Sequence, residues 1–460
     1  ILSKIGYSHV SSGLIDVATA ALMVKNRLQL NEENSGIKPI LESDKGFTFS
    51  VTNSSFFGGS SHFMLYSEQI KKIETRATGD LLIHCYSAID RKGLIEELKN
   101  NSYSENGIHR LGIVSIKENL QKQIDQSIAL LEADNDLKGW ISPTINYQFE
   151  KTSGEIAFVF TGAASAYPQM GKALIEEFPG LIGGLRPSCV NPSFAGDWIY
   201  NKNEPKAKLP FYQLAGASFI CQIHAVFTKN VLGIQPNAAI GLSSGETNSI
   251  YALGVWDDMD ELLNEIHEAE LYDSALGVDF NSVKQYWGLK ESETIEWENW
   301  RVLAPRNEVE KLLETEERVY LTIVNTEEDC VIGGDKSACE RILSILGKNR
   351  VMPLNYDIAV HCAPVSPYEK KWRKLHTRKV NNPESIRFYS NYLDGVYKPT
   401  KESVADALTG QALHPIDFPK IINKAWVDGV RVFIEHGPRN SLKSAIEAIL
   451  KDKEFLCVSM

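Results

Sequence analysis

The chain alternates short continuous apolar runs with amphipathic stretches, the pattern of strands buried on both faces and interleaved with helices. Residues 156–160 (Ile-Ala-Phe-Val-Phe) and 238–240 (Ala-Ala-Ile) are such runs, and each predicts a buried strand. Further strands are predicted at 81–86, 109–114, 319–325 and 329–334, and a glycine turn followed by a strand within 51–65. Helical spacing is present at 14–28, 91–98, 117–131 and 336–346, and a helix opens near Tyr212. The fold class this implies is α/β. No tandem repeat of solenoid length interrupts the pattern.

The run at 238–240 leads into Gly241-Leu242-Ser243-Ser244-Gly245-Glu246, and a helical pattern (Thr247, Ile250, Tyr251, Leu253) leaves it. Strand, sharp turn and helix around Gly-x-Ser-x-Gly form a nucleophile elbow with Ser243 at its tip. A serine squeezed between strand and helix needs small neighbours, which Gly241 and Gly245 supply. The helix that follows directs free N–H groups and the positive end of its dipole toward charge developing beside Ser243. This arrangement suits acyl transfer.

At 460 residues and 51.4 kDa the chain is long enough for about two to four domains. Its 43% hydrophobic and 23% charged content is that of a globular protein. A net charge of −11 argues against a nucleic-acid surface. No apolar run is long enough to span a membrane, and no basic-then-apolar leader is present. The start at Ile1 rather than Met suggests a piece of a longer polypeptide. Seven scattered cysteines without Cys-x-x-Cys suggest neither disulfides nor a zinc site, and a reducing, cytoplasmic setting is expected. Gly333-Gly334 lacks the Lys-Ser/Thr of a phosphate loop.

A serine hydroxyl needs a base, and ten histidines are available. Here a family resemblance narrows the choice. Thr161-Gly162-Ala163-Ala164-Ser165-Ala166-Tyr167-Pro168-Gln169-Met170-Gly171 resembles the Gly-Gln-Gly-x-Gln-x-x-x-Met-Gly turn of malonyl and acyl transferases from fatty-acid and polyketide synthases. Tyr212-Gln213-Leu214-Ala215, the elbow and Gly254-Val255-Trp256 follow in that family's order. The resemblance implies an α/β-hydrolase-like core with a ferredoxin-like subdomain at about 296–357. It makes His361, in Ile358-Ala359-Val360-His361-Cys362-Ala363-Pro364, the base, with His436 in Ile434-Glu435-His436-Gly437-Pro438 as the rival. It places a glutamine carbonyl, that of Gln411, behind the base in place of an acid. The backbone N–H groups of Ala163 and Ser244 would form the oxyanion hole, each worth about 3 kcal/mol in acyl transfer.

Residues 1–68 resemble the C-terminal end of a β-ketoacyl synthase through 5–13 and 51–65. The catalytic histidine of that family falls on Tyr7 and its lysine on Leu2, so the segment reads as a remnant without chemistry, in which His9 and His62 are structural. Residues 69–154 look like the small α/β linker domain between ketosynthase and acyltransferase, with 138–154 as the seam. Residues 155–460 are the acyltransferase domain.

Counted from the elbow, the malonate-binding arginine of the family falls on Glu268, and no arginine lies between Gly241 and Arg301. A carboxylate there would repel malonyl; Glu268 also fits an ordinary solvated helix position, and the arginine is missing either way. Leu242 replaces the usual elbow histidine and Val360 precedes the base, so Gln213, Leu242, Glu268 and Val360 are the expected pocket residues for an uncarboxylated chain. Leu242 and the domain order resemble the separate acyltransferase subunit of polyunsaturated fatty-acid synthases. The expected activity is ping-pong acyl transfer from a coenzyme A or phosphopantetheine thioester, with no permanently bound cofactor and no metal. The expected partners are acyl carrier protein domains and other subunits of a multienzyme synthase. A thioesterase-like hydrolase and a catalytically silent carrier-docking scaffold are the alternatives.

Overall fold

A computed structural model describes residues 81–102, 107–149, 153–178, 210–381, 385–393 and 395–460, the strands Leu28–Leu30, Ile37–Pro39, Thr48–Ser54 and Ser60–Tyr66, and Ala21, Leu181 and Leu185. The chain forms two compact units, Thr75–Ser153 and the remainder.

In the smaller unit, strands Leu81–Ala88, His109–Ile116, Gly139–Ser142 and Ile145–Gln148 form an antiparallel sheet with the last two exchanged in order. Helices Arg91–Asn100 and Leu120–Ala133 supply Leu94, Leu98, Ile124 and Leu131 to its core. Asp90 caps the first helix by accepting from the Gly93 N–H at 2.7 Å. The polar stretch 138–154, expected as a seam, carries a hairpin. Ile145 and Tyr147 alternate inward between polar neighbours, a period-two signal that mean polarity conceals.

Toward the N-terminus, Thr48–Ser54 pairs antiparallel with Ser60–Tyr66, and His62 falls opposite Thr52. Leu2, Tyr7 and His9 lie outside the described residues, as do residues 55–59, where the sequence predicts a glycine turn.

The larger unit is built on β1 (Glu155–Phe160), α1 (Pro210–Val226), β2 (Ala238–Gly241), α2 (Ser244–Ala252) and α3 (Met259–Glu268). After an inserted subdomain the chain returns as β7 (Arg387–Tyr389), β8 (Val396–Tyr397) and α6 (Lys401–Leu413). It closes with β9 (Ile416–Asp417), α7 (Phe418–Val427), β10 (Val430–His436), α8 (Ser441–Ile449) and β11 (Leu456–Ser459). The main sheet runs β8-β7-β2-β1-β10-β11, parallel except at β7–β8. Successive β1 residues serve opposite faces: Phe158 and Phe160 enter one core, Ala157 and Val159 the other. A strand covered on both sides must be apolar throughout, hence the unbroken run. Fifteen of the seventeen residues of α1 are buried, so this helix is packed on every side.

The insert comprises β3 (Trp297–Val302), α4 (Arg306–Leu313), β4 (Val319–Thr326), β5 (Asp329–Asp335), α5 (Lys336–Leu346) and β6 (Val351–Pro353). Its order β6-β3-β5-β4, antiparallel throughout, is that of a ferredoxin-like β-α-β-β-α-β unit, with β9 joining β4 in parallel. No helix among the described residues is long and apolar enough to cross a membrane.

Candidate active site

The ends of β1, β2 and β10 converge where parallel sheets of this kind bind ligands, beyond the carboxyl ends of the strands. At the end of β2, Ser243 adopts φ 59°, ψ −129° before α2 begins. A left-handed conformation in a residue other than glycine costs of order 1–3 kcal/mol and persists only when its surroundings enforce it. A Cβ on Gly245 would stand 2.0 Å from the Phe160 carbonyl oxygen, and one on Gly241 2.1 Å from the Glu246 nitrogen. The turn can therefore form only with glycine on both sides of the serine.

A polar bracket enforces the turn from beneath. The Asn391 side-chain amide donates to the Gly241 carbonyl at 2.8 Å and to Glu246 Oε2 at 2.5 Å, and its Oδ1 accepts from the Ser243 N–H at 3.4 Å. The Asn391 backbone N–H also donates to Glu246 Oε2, at 3.0 Å. Glu246 is buried, and that burial pushes its carboxyl up to about 7 against the lowering effect of the Asn391 hydrogen bonds. The sequence signal for Glu246 is a charge placed directly after the motif in a buried helix; Asn391, far along the chain, has none.

His361 Nε2 lies 2.6 Å from Ser243 Oγ, and His361 Nδ1 lies 2.5 Å from the backbone carbonyl oxygen of Gln411. A carbonyl can only accept, so Nδ1 carries the proton and Nε2 is left to receive that of Ser243. Gln411 thus serves through its main chain, as α6 ends, and the identity of its side chain is not what holds the tautomer. His361 itself stands at φ 60°, pinned by its N–H to the Ala412 carbonyl at 2.8 Å. Burial lowers its pKa to about 4, opposed by the Gln411 carbonyl. His436 is not part of this arrangement. It is buried at the end of β10, with Nδ1 2.8 Å from the Ile434 carbonyl and Nε2 3.0 Å from Thr228 Oγ1.

The Ala163 N–H, one of the two expected oxyanion donors, points at the elbow and donates to Ser244 Oγ at 3.0 Å. A carbonyl oxygen arriving at Ser243 has to take the place of that hydroxyl. A Cβ on Gly162 would stand 2.9 Å from the Leu242 carbonyl and 3.4 Å from Ser243 Cβ, so glycine is needed for the two turns to approach. Ser244, as the first residue of α2, has a backbone N–H without an intrahelical acceptor.

Two spaces meet at Ser243 and His361. An inner chamber is walled by Leu214, Met259, Leu262, Ile266, Trp372 and Leu408, with neither lysine nor arginine in its lining. Besides His361 its lining holds one further imidazole, His376, which burial lowers to about 4 and which is therefore neutral near pH 7. An outer cleft runs between the main sheet and the insert, lined by Ala163, Leu242, Asn299, Arg301, Asn355 and Arg439 among others, and Val360 borders both spaces. Two expected pocket residues are elsewhere. Glu268, the last residue of α3, is exposed, because the buried stripe Met259, Leu262, Leu263, Ile266 sets the inward face and position 268 is off it. Gln213 is buried but donates its amide to the Asn355 carbonyl at 3.3 Å, bracing α1 against the loop after β6; neighbouring Leu214 forms the chamber wall. Among the described residues no cluster of histidine, cysteine or carboxylate side chains could hold a metal ion.

No family model matches the chain. A polyunsaturated fatty acid synthase subunit from Thraustochytrium sp. is 24% identical over 374 residues, covering 74% of this chain and 18% of that protein. A highly reducing polyketide synthase from Emericella nidulans is 23% identical over 98% of this chain and 17% of its own length. The chain therefore spans less than a fifth of either synthase. The malonyl CoA-acyl carrier protein transacylase of Bacillus subtilis is 23% identical, over 66% of this chain and 93% of that enzyme. Among solved structures, the acyltransferase domain from module 8 of the salinomycin polyketide synthase superimposes with a TM-score of 0.65 at 15% identity, covering 83% of this chain and 91% of that one. A malonyl-transacylase in complex with a type II acyl-carrier protein gives a TM-score of 0.55 at 17% identity, over 66% of this chain and 96% of that one. The chain has the α/β fold of synthase acyltransferase domains.

Proposed function

We propose that this protein is a serine acyltransferase that moves an uncarboxylated acyl group from a thioester to a phosphopantetheine thiol, in polyunsaturated fatty-acid or polyketide synthesis. The observation that carries the reading is the line Gln411 carbonyl, His361, Ser243, which leaves Nε2 unprotonated 2.6 Å from the hydroxyl it must activate. Ser243 Oγ attacks the thioester carbonyl as its proton passes to His361 Nε2, and the resulting oxyanion is held by the N–H groups of Ser244 and Ala163. Collapse expels the thiolate, which takes the proton from His361 and leaves an acyl-serine. A second thiol, deprotonated by His361, reverses the steps. The imidazolium is supported by a neutral carbonyl rather than a carboxylate.

The chamber lining supports the uncarboxylated substrate. With no cation to meet it, a malonyl carboxylate there would be desolvated without a partner. The relatives' standing as parts of large synthases supports acyl carrier protein domains and sister subunits as partners; residues 69–154 are read as a spacer without chemistry of its own.

Intact-mass measurement after exposure to a panel of acyl-CoAs tests this. A plain acyl adduct on the native protein, absent in Ser243→Ala and weaker or absent with malonyl-CoA, is expected; robust malonylation would sink the substrate reading. With a radiolabelled acyl thioester, release of free acid at the same rate with and without carrier would identify a hydrolase instead. No adduct with any thioester would leave a docking scaffold.

A further inference from the structure

The outer cleft that starts at Ser243 and His361 continues to Arg301, Arg439 and Ser441, and these three also line a shallow hollow with Tyr167, Asn440 and Ser444. All six residues of the hollow carry N–H or O–H donors, and none is acidic or aliphatic. In a chain of net charge −11, this is a lining suited to an anion with several acceptor oxygens.

The two arginines are not equivalent. Arg301 Nε lies 3.0 Å from both Asp329 carboxylate oxygens and its Nη2 2.5 Å from one of them, so its charge is matched. Arg439 forms no ion pair with any described residue. Its Nε donates to the Ser165 carbonyl at 3.0 Å and its guanidinium lies 5.4 Å from the Tyr167 ring centroid, contacts that orient the side chain without neutralising it. Arg439 also stands at φ 66°, in the region where glycine is favoured, so a long cationic side chain is kept here against backbone preference. The start of α8 is not the ligand: the Leu442 and Lys443 N–H groups already donate to the buried Glu435 carboxylate, at 3.0 and 2.9 Å. Recognition is left to the side chains, Arg439 foremost.

We infer that Arg439, with the hydroxyl and amide groups around it, binds the phosphate ester at the far end of a pantetheine arm whose thioester lies at Ser243. The inference rests on the acyltransferase reading. The same phosphate chemistry is offered by coenzyme A and by a holo-carrier protein.

Calorimetric binding of pantetheine, 4′-phosphopantetheine and coenzyme A to the full chain needs no turnover. Phosphopantetheine and coenzyme A should bind about tenfold or more tighter than pantetheine, the scale of one charge-assisted contact. Arg439→Gly should reduce that preference to about threefold or less while leaving Tm unchanged or higher, because glycine relaxes the φ; Arg439→Lys should retain part of it. Equal affinities for pantetheine and phosphopantetheine in the native protein, or a preference that survives Arg439→Gly, would overturn the site. Comparing the KM rise in Arg439→Gly for acyl-CoA and for acyl-carrier donors tells which phosphate is read. An Arg439-dependent preference in a protein whose Ser243 is never acylated would leave the site standing and remove the acyltransferase reading.

Discussion

Burial decides the pH at which His361 can work. Its pKa is held at about 4, so the imidazole is neutral, and able to accept the Ser243 proton, at every pH well above that value. The rate of Ser243 acylation should therefore be level from pH 8 down to about 5.5 and fall only as the pH drops toward 4. A limb centred near 6.5, measured as kcat/KM against pH, would show that His361 titrates as if exposed. The residue beneath the elbow carries a second expectation. Asn391→Ala removes the side-chain amide that donates to Gly241 and Glu246, leaving the buried carboxyl with the backbone N–H of residue 391 but without its side-chain donor, which costs about 1–3 kcal/mol in stability. It should also slow acylation by about tenfold or more through a misplaced Ser243, with KM little changed; unchanged kcat in a folded variant would show that the bracket is not needed. Ser243 and His361 could be picked out of the chain because each sits in a short pattern whose neighbours matter. A carbonyl of Gln411 behind the base could be named through the family resemblance, but no pattern of residues distinguishes its main-chain carbonyl, the one that faces His361, from that of its side chain. Asn391 was invisible because its partners are distant in sequence.

Elements were legible where packing imposes a period. The buried strands β1 and β2 show as unbroken apolar runs, and α5 shows at its full length because Asp335 caps it, accepting from the Ala338 N–H at 3.2 Å. Of the two readings open for Glu268, pocket carboxylate and solvated helix position, the second is the one it takes, and the same test separates them. The stripe Met259, Leu262, Leu263, Ile266 follows helical spacing and already assigns position 268 to solvent, whereas counting residues from the elbow ignores which face α3 turns inward. Strand order was not legible, since parallel neighbours are joined through long crossovers whose destination no local pattern records. The tightest element-level constraint is the closeness of the elbow to β1. Gly245→Ala would drive a methyl to 2.0 Å from the Phe160 carbonyl, and backbone cannot swing aside as a side chain can. A loss of about 3 kcal/mol or more in urea unfolding is expected, with Ser243 acylation lost even where the variant folds. A variant as stable and as reactive as the native protein would mean the elbow is not built as described.

For the whole molecule, acid is the perturbation to which the burial pattern is most exposed. Four buried histidines, His224, His361, His376 and His436, are lowered by burial to about 4, 4, 4 and 3. Once unfolded, each titrates near 6.5. Between about pH 6.5 and 4 the unfolded chain therefore binds more protons than the folded one, so stability is fully present above 6.5 and is lost as the pH falls. Glu246, raised to about 7, works the other way, since the folded chain holds a proton that the unfolded chain releases above about 4.5. Near pH 5 roughly four protons are taken up on unfolding and somewhat less than one released. At about 1.4 kcal/mol per proton per pH unit, unfolding free energy should fall by about 4 kcal/mol for each unit of acidification there. Denaturant curves at pH 7, 6 and 5 measure this, and a flat dependence would contradict the burial of the four imidazoles. Total stabilities of about 5–15 kcal/mol leave little room for such a slope, so unfolding and the protonation of His361 should overlap below pH 5. Circular dichroism at each assay pH separates them: a rate lost while the spectrum is native belongs to protonation of His361 in the folded protein, and a rate lost with the spectrum belongs to unfolding, to which all four imidazoles contribute.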